Sequence, residues 1–156
     1  MKFYVLIPVY KAEAFLKDCL DSVFAQTEQN FEIVLVDDGS PDASGAMCDR
    51  FAASDGRVHA LHQENTGPFG ARRAAIRYCL DHGDKADWAV FLDADDTLKP
   101  NALEVIDRTH QETQADLIFI GEDQVYGGKV LRPFPTEMAY LGTVTDKAAL
   151  YKIVFQ

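Results

Sequence analysis

The chain has 156 residues, of which 47% are hydrophobic, enough for one domain with a buried core. Its 15 Lys and Arg against 25 Asp and Glu give a formal net charge of −10, which argues against nucleic acid or an anionic membrane as a partner bound through bulk charge. No apolar run approaches the roughly 18 residues of a transmembrane span. A phosphate-bearing ligand would therefore need local help from a metal ion, an arginine or backbone amides.

Strands and helices alternate along the chain. Residues 3–7 predict a strand that Pro8 ends, and residues 13–26 predict an amphipathic helix. Further strands are predicted over 31–36, 58–62, 88–92 and 116–120, and helices over 43–53, 67–80 and 100–113, the last with Pro100 in its first turn. A hairpin over 124–131 and a short helix capped by Asp146 follow. The pattern predicts an α/β fold with a mostly parallel sheet and helices on both faces.

Three aspartates follow the fourth predicted strand, in the run Phe91-Leu92-Asp93-Ala94-Asp95-Asp96. Side chains two apart on an extended chain point the same way, so Asp93 and Asp95 can converge on one cation. Hard oxygen ligands suit Mg²⁺ or Mn²⁺, which usually bind through one or two carboxylates plus substrate phosphates. The alternative is an acidic turn that caps the next helix.

Polar residues also follow the second and third predicted strands. Asp37 and Asp38 precede Gly39, a residue that permits a turn with positive φ, and Arg72 lies near the start of the third helix. Ligands of open parallel sheets bind beyond the carboxyl ends of the strands, so these residues are binding candidates. The alternatives are that Asp38 only forms a turn, with Ser40 capping the next helix, and that Arg72 is a solvated surface residue.

Taken in order, these segments resemble the family 2 glycosyltransferases from about Phe3 to Ala102. The resemblance rests on Ile7-Pro8-Val9-Tyr10, Phe15-Leu16, Cys19-Leu20-Asp21-Ser22-Val23, Gln26-Thr27, Phe31 to Ser40, Asn65, Gly67, Ala71-Arg72 and Phe91 to Asp96. It implies a GT-A fold, a nucleotide-sugar donor (a UDP-sugar above all), Mn²⁺ or Mg²⁺ as cofactor, and transfer with inversion.

The resemblance also implies residue roles. Asp95 is the expected direct metal ligand, together with Asp93, which lies nearer the ribose. The Asp37-Asp38 pair would hold the base or ribose, Arg72 would assist at the base, and Asp96 would face the sugar. The full expected substrate-binding set is Pro8, Val9, Tyr10, Glu13, Asp37, Asp38, Gly67, Arg72, Asp93, Ala94 and Asp96.

The chain departs from the family pattern at several positions. Lys11 stands where the family usually has Asn, and Arg73 and Ala75 replace a usual Asn and Gly. Inversion needs a carboxylate base, and Glu122 and Asp123 are weak candidates because they come early in the sequence. We expect residues 1–123 to form the nucleotide-sugar-binding core and residues 124–156 to begin an acceptor-side region that is truncated. Such a chain would bind donor but transfer sugar poorly.

The expected partners are a nucleotide sugar and a glycan or lipid-linked acceptor, in the service of polysaccharide biosynthesis. Three cysteines without metal-ligand spacing predict buried thiols and a cytoplasmic location, at the inner membrane face if the chain associates peripherally. Apolar residues in 140–156 predict packing on the sheet edge or a homodimer. The rival functions are a haloacid-dehalogenase-like phosphatase, with Asp93 as nucleophile, and a non-catalytic nucleotide-sugar-binding fragment.

Overall fold

The computed structural model describes residues 1–121, 123–126 and 129–132. Four parallel strands form its main sheet, in the order β3-β2-β1-β4. These strands are β1 (Phe3–Val9), β2 (Phe31–Asp37), β3 (Val58–His62) and β4 (Trp88–Phe91). The predicted α/β fold with a parallel sheet is confirmed.

A helix follows each strand of the sheet, as parallel connections require. The helices are α1 (Leu16–Phe24), α2 (Ser44–Ser54), α3 (Pro68–His82) and α4 (Ala102–Thr113). The predicted hairpin is also present, with β5 (Gln124–Tyr126) antiparallel to β6 (Lys129–Arg132). Contacts divide the chain into a unit Met1–Val105, which holds the sheet, and a unit Ile106–Gln156. The boundary predicted after residue 123 and the helix cap at Asp146 stay predictions, and Asp146 lies outside the described residues.

Both faces of the two central strands are buried, which explains their unbroken apolar sequences. On one face, Tyr4 and Leu6 of β1 pack with Val34 and Val36 of β2 against α3, whose small residues Ala71 and Ala75 allow close approach. The opposite face carries the alternate residues of the same strands, including Val5 and Ile33, which are fully buried. The buried apolar row of α1 is Leu16, Cys19, Leu20 and Val23.

The predicted strand over 116–120 was wrong: these residues form no strand in the structure. A strand needs a hydrogen-bonded neighbour, and none of the described strands pairs with this segment. Its apolar side chains Leu117, Phe119 and Ile120 are exposed. The apolar sequence therefore indicated a strand for which the described part of the chain provides no partner.

Two helices begin later in the structure than predicted, and in each case a backbone carbonyl just before the helix accepts a hydrogen bond. The first helix begins at Leu16 rather than residue 13, after a turn in which the carbonyl of Ala12 accepts from the Phe15 and Leu16 amides. The fourth begins at Ala102, so Pro100 precedes it, and the Pro100 carbonyl accepts a hydrogen bond of 2.8 Å from the Thr27 amide.

The three cysteines are free thiols, and the burial predicted for all three is found for two of them. Cys19 and Cys48 are buried, and Cys79 is half-buried. Burial, reinforced by the charges of Asp96, Asp95 and Asp93, raises the pKa of Cys19 to about 12. Of the described residues, no helix combines the length and the apolar character that crossing a bilayer needs.

Three residues at the carboxyl edge of the sheet have positive φ angles, among them Gly67 with φ = 80°. Gly39 has φ = 68°, as the sequence predicted, and a Cβ there would lie 3.1 Å from the Asn65 nitrogen. Lys11 has φ = 52°, which is unfavourable for a lysine. Its amide donates to Ser40 Oγ, and its ammonium lies 5.2 Å from the centre of the Tyr10 ring.

We predict that Lys11→Asn raises the free energy of unfolding by about 0.5 kcal/mol, because Asn tolerates the left-handed region better than Lys. Urea unfolding of the two proteins measures the change. Lys17→Asn, on the exposed side of α1, is the matched control and should instead be slightly destabilising. A stability loss in Lys11→Asn equal to that of the control would contradict the strain argument.

Candidate functional site

A cleft of about 430 Å³ opens at the carboxyl edge of the parallel sheet. Segments that follow β1, β2, β3 and β4 meet there, together with the start of α3. The residues that line it are Pro8, Val9, Tyr10, Lys11, Ala12, Phe15, Asp38, Asn65, Gly67, Pro68, Ala71, Arg72, Asp93, Ala94 and Asp95. The cleft is therefore lined by aromatic rings, two basic side chains and three carboxylates.

The acidic segment after β4 is a tight turn. The Asp93 carbonyl accepts a hydrogen bond of 3.0 Å from the Asp96 amide, and Ala94 and Asp95 form the turn. The predicted extended geometry, with Asp93 and Asp95 pointing the same way, was wrong, because the strand ends at Phe91. Asp93 and Asp95 nevertheless line the same cleft.

Asp93 is paired with Arg72 of α3. Arg72 Nη2 lies 2.5 Å from Asp93 Oδ1, and both side chains are partly exposed, at 32% and 49%. The Asp95 carboxylate, by contrast, is exposed and has no hydrogen bond or ion pair to any residue that the structure describes. One carboxylate of the turn thus has a cationic partner, and the other is available to a ligand.

Asp38 is almost wholly occupied by the loop after β3. Its Oδ2 accepts from the Gly67 amide at 2.8 Å, and its Oδ1 accepts from the Thr66 amide at 2.9 Å and from Gln63 Nε2 at 2.6 Å. Burial opposes ionisation, but these hydrogen bonds outweigh it and hold the pKa of Asp38 below its ordinary value. Asp38 therefore fixes the loop that borders the cleft, although it also lines the cleft itself.

Asp37 lies behind the cleft and does not line it. Its Oδ1 accepts from the Ser40 amide at 3.0 Å, and its Oδ2 lies 3.1 Å from His62 Nδ1. His62 Nε2 in turn lies 2.9 Å from Asp49 of α2, and these two carboxylates raise the pKa of His62. A Cβ on Gly45 would lie 2.7 Å from Asp37 Oδ2, so the helix passes close to this carboxylate.

Glu13 also lies outside the cleft lining, because it serves the start of α2. Its Oε2 accepts a hydrogen bond of 2.9 Å from the Ala43 amide, while Ser44 Oγ accepts one of 2.9 Å from the Ala12 amide. Ser40 does not cap α2, as the alternative interpretation supposed, since Ser40 Oγ accepts from the Lys11 amide instead. These bonds fix the loop after β1 against α2.

The remaining candidates are placed as follows. Pro8, Val9, Tyr10, Gly67, Arg72 and Ala94 line the cleft, whereas Asp96, on the same turn, is exposed outside the lining. Asp123 is half-buried in the unit Ile106–Gln156, and Glu122 lies outside the described residues. The cleft lining that was not on the predicted list is Lys11, Ala12, Phe15, Asn65, Pro68 and Ala71. Adjacency to Tyr10, Gly67 and Arg72 was the sequence signal that could have found most of them.

The donor set fits a divalent cation bound jointly by protein and ligand. Asp95 and the second oxygen of Asp93 are hard carboxylate donors in the cleft, the kind that Mg²⁺ and Mn²⁺ prefer. Across the described ranges, no group of three or more His, Cys, Asp or Glu side chains could hold a metal by itself. A cation here would therefore need oxygens from a bound substrate.

The sequence and the fold both match known proteins. Residues 4–155 match the profile of glycosyl transferase family 2. The glycosyltransferase GlyG of Streptococcus pneumoniae is 39% identical over 73% of this chain, and GlyA of the same organism is 38% identical over 74%. The aligned part is 36% of GlyG and 16% of GlyA, so the chain spans about a third or less of these relatives.

A solved structure of S. aureus TarS, residues 1–349, in complex with UDP-GlcNAc superposes with a TM-score of 0.64 at 25% identity. The match covers 74% of this chain and 33% of that one. The parallel sheet flanked by helices is the GT-A fold.

We predict that Asp38→Asn lowers the free energy of unfolding by about 1–3 kcal/mol. The side-chain amide nitrogen would replace one of the oxygens that now accept hydrogen bonds, so that one N–H donor would face another. Chemical unfolding measures the loss. Asp49→Asn, at a largely exposed carboxylate, is the control and should cost less. Equal losses in the two variants would contradict a fixing role for Asp38.

We predict that the stability contributed by His62 depends on pH. Because its folded pKa is raised, the contribution is complete below the unfolded pKa of about 6.5 and is lost as pH rises through the folded pKa. His62→Gln should cost more stability at pH 5.5 than at pH 8.5. The side chain is 44% exposed, so solvent screening limits the difference to about 0.5 kcal/mol.

The control for this comparison is His82→Gln, at a histidine that forms no carboxylate ion pair among the described residues. Thermal unfolding at the two pH values gives both differences. A cost of His62→Gln that is the same at both, or larger at pH 8.5, would overturn the assignment.

Proposed function

Because this chain belongs to glycosyl transferase family 2, we propose that its cleft binds a nucleotide-diphosphate sugar and presents the sugar to an acceptor hydroxyl, with inversion at the anomeric carbon. The observation that supports the proposal is that one cleft contains both the exposed Asp95 carboxylate and the Arg72–Asp93 ion pair. A ligand that brings both negative phosphates and a divalent cation suits both charges.

The donor we propose is a UDP-sugar. TarS, whose fold this chain shares, was solved with UDP-GlcNAc. The cleft offers the chemistry that a nucleotide needs: the half-exposed Tyr10 ring, 47% accessible, can stack on a base, and Arg72 can bind a base or a phosphate oxygen. The loop fixed by Asp38 contributes Gly67 to the lining of the same cleft.

Asp95 and Asp93 are the residues that would hold Mn²⁺ or Mg²⁺. The ion, when bound, neutralises charge that develops on the departing diphosphate. Asp95 is the principal ligand in this proposal, because Asp93 already has Arg72 as a partner. Arg72 would have to share or release Asp93 when the donor binds.

An inverting transfer also needs a carboxylate that takes the proton of the acceptor hydroxyl. Glu122 and Asp123 remain weak candidates for that base. The acceptor we propose is a glycan or a lipid-linked saccharide, in polysaccharide biosynthesis at the cytoplasmic side of the membrane. The base, the acceptor and the location are properties of a whole enzyme, and this chain spans only about a third or less of GlyG and GlyA. They are therefore part of the proposal.

The two rival functions differ in their support. The phosphatase reading is not favoured: its nucleophile loop follows the first strand of the core, whereas Asp93 follows the edge strand β4 and is bound to Arg72. A nucleotide-sugar-binding module without catalysis shares the proposed cleft, so only a transfer assay separates it from the enzyme.

Isothermal titration of the chain with UDP, with and without Mn²⁺, tests the proposal. We expect binding that Mn²⁺ strengthens at least tenfold. Titration with inorganic phosphate under the same conditions is the control for non-specific anion binding. Absence of metal-dependent binding to UDP or any other nucleoside diphosphate would reject the proposed function.

We predict that Asp95→Asn reduces Mn²⁺-dependent UDP affinity far more than Arg72→Ala does. Asp95 would be the principal protein ligand of the cation that offsets the diphosphate charge, whereas Arg72 would make one contact with the donor and its removal frees Asp93. Titration of both variants measures the difference. Equal losses would show that Asp95 is not the principal ligand.

A further inference from the structure

One face of α1 is hydrogen-bonded to the segment that carries the acidic turn. Cys19, Ser22 and Gln26 lie at positions i, i+3 and i+7, on one side of the helix and its C-terminal extension. Cys19 Sγ lies 3.6 Å from the Asp93 carbonyl, and Ser22 Oγ accepts from the Leu98 amide at 3.0 Å. The row thus contacts the segment at its beginning and its middle.

Gln26 completes the row at the far end of the segment. Its Nε2 donates to the Lys99 carbonyl at 2.8 Å and to the Ser22 carbonyl at 3.0 Å, and its Oε1 accepts from the Leu103 amide at 3.1 Å. The side chain is 2% exposed, so these bonds are formed away from water. The buried Gln26 amide thus uses both its donor and its acceptor, so it links α1 to this segment through specific hydrogen bonds.

The segment needs such a connector because it has no regular structure of its own. Residues 92–101 lie between β4 and α4 without a helix or strand. Ser22 of α1 provides a partner for the Leu98 amide, and Gln26, just after α1, provides one for the Lys99 carbonyl. The Thr27 amide adds a bond of 2.8 Å to the Pro100 carbonyl.

We propose that Gln26, with Ser22, is a positioning residue for the metal-binding turn: it holds residues 93–99 in the conformation in which Asp95 and Asp93 face a cation. The proposal rests on the function proposed above. Neither residue lines the cleft, so the effect is transmitted through the backbone of the segment.

This role differs from a general contribution to stability. The lining residues Tyr10, Gly67 and Pro68 lie just after β1 and at the start of α3, and none of them is among the groups that the Ser22 and Gln26 side chains bind. Loss of Gln26 should therefore weaken the metal-dependent part of nucleotide binding and leave nucleoside binding without metal unchanged. A merely structural residue would weaken both together.

The test uses Gln26→Met, which keeps the length of the side chain and removes its amide, and Ser22→Ala, which removes one acceptor at little risk to folding. Gln29→Met is the matched control. The Gln29 side chain is bonded to the Phe24 and Gln26 carbonyls and to Arg57, and none of these partners belongs to residues 92–103. Val58→Ala in β3 is the control for lost stability, at a buried residue of the strand farthest from β4.

Three quantities are measured on each full chain: Mn²⁺ affinity in the presence of UDP by electron paramagnetic resonance, uridine affinity without metal, and amide hydrogen exchange. For Gln26→Met we expect about a tenfold loss of Mn²⁺ affinity, the usual effect of losing a residue that orients a ligand. Uridine affinity should stay within twofold. Exchange should rise at Asp96 and Leu98 but not in β1 and β2. Ser22→Ala should show the same pattern, more weakly.

Equal losses of Mn²⁺ and uridine affinity, or a Mn²⁺ loss that Val58→Ala reproduces at the same stability, would overturn the positioning role. So would exchange that rises uniformly over the sheet. If the unmodified chain shows no Mn²⁺-dependent UDP binding, the proposed function fails, and the exchange pattern still decides whether Gln26 and Ser22 hold the turn. If Gln26→Met does not fold, Ser22→Ala decides.

Discussion

Carboxylates gather at one edge of a parallel sheet in a chain of net charge −10, and their mutual repulsion is the constraint that shapes the rest of the site. Parallel pairing of β1 with β2 and with β4 makes this unavoidable, because it places the ends of β2 and β4 on one side. Each aspartate there must have a donor or a cation, or remain open to solvent. How each one is partnered divides the edge into a fixed part and an open part.

The fixed part lies at the end of β2. Asp37 binds the Ser40 amide and His62, and Asp38 binds the amides of Thr66 and Gly67. The hydrogen-bond donors of these carboxylates come from the protein itself, so the pair holds the neighbouring loops together. The expectation that Asp37 and Asp38 bind a base or ribose stays a prediction, and the structure adds to it a scaffolding role for both.

The open part lies after β4. Asp93 shares its charge with Arg72, while Asp95 faces solvent without a hydrogen bond or ion pair among the described residues. An exposed carboxylate beside an exchangeable ion pair is suited to a cation that arrives with its substrate. The segment that holds this turn depends on hydrogen bonds from α1, so the most open part of the edge is anchored by a buried helix face.

The aligned part of this chain is about a third or less of GlyG and GlyA, and family membership alone does not say what that part contributes. The described part of the chain forms one cleft that holds aromatic, cationic and carboxylate side chains, and these groups support the proposed binding of a nucleotide diphosphate. These cleft residues do not identify the acceptor site or the catalytic base. In the proposed function, nucleotide binding and sugar transfer are therefore separable properties.

The sequence by itself determined the alternation of strands and helices, the parallel sheet and the positive φ of Gly39, because apolar runs, helical periodicity and glycine report on local conformation and burial. It also marked Asp38, Arg72, Asp93 and Asp95 as neighbours, since strand ends share an edge.

It could not show that segment 116–120 pairs with none of the described strands, or that Glu13 serves Ala43 rather than the cleft. Nor could it show that Gln26 reaches Lys99, which is 73 residues away along the chain. Only the tertiary structure decided these points, because hydrogen-bond partners that are distant in sequence leave no trace in local pattern, and a carboxylate binds whichever donor the fold brings nearest.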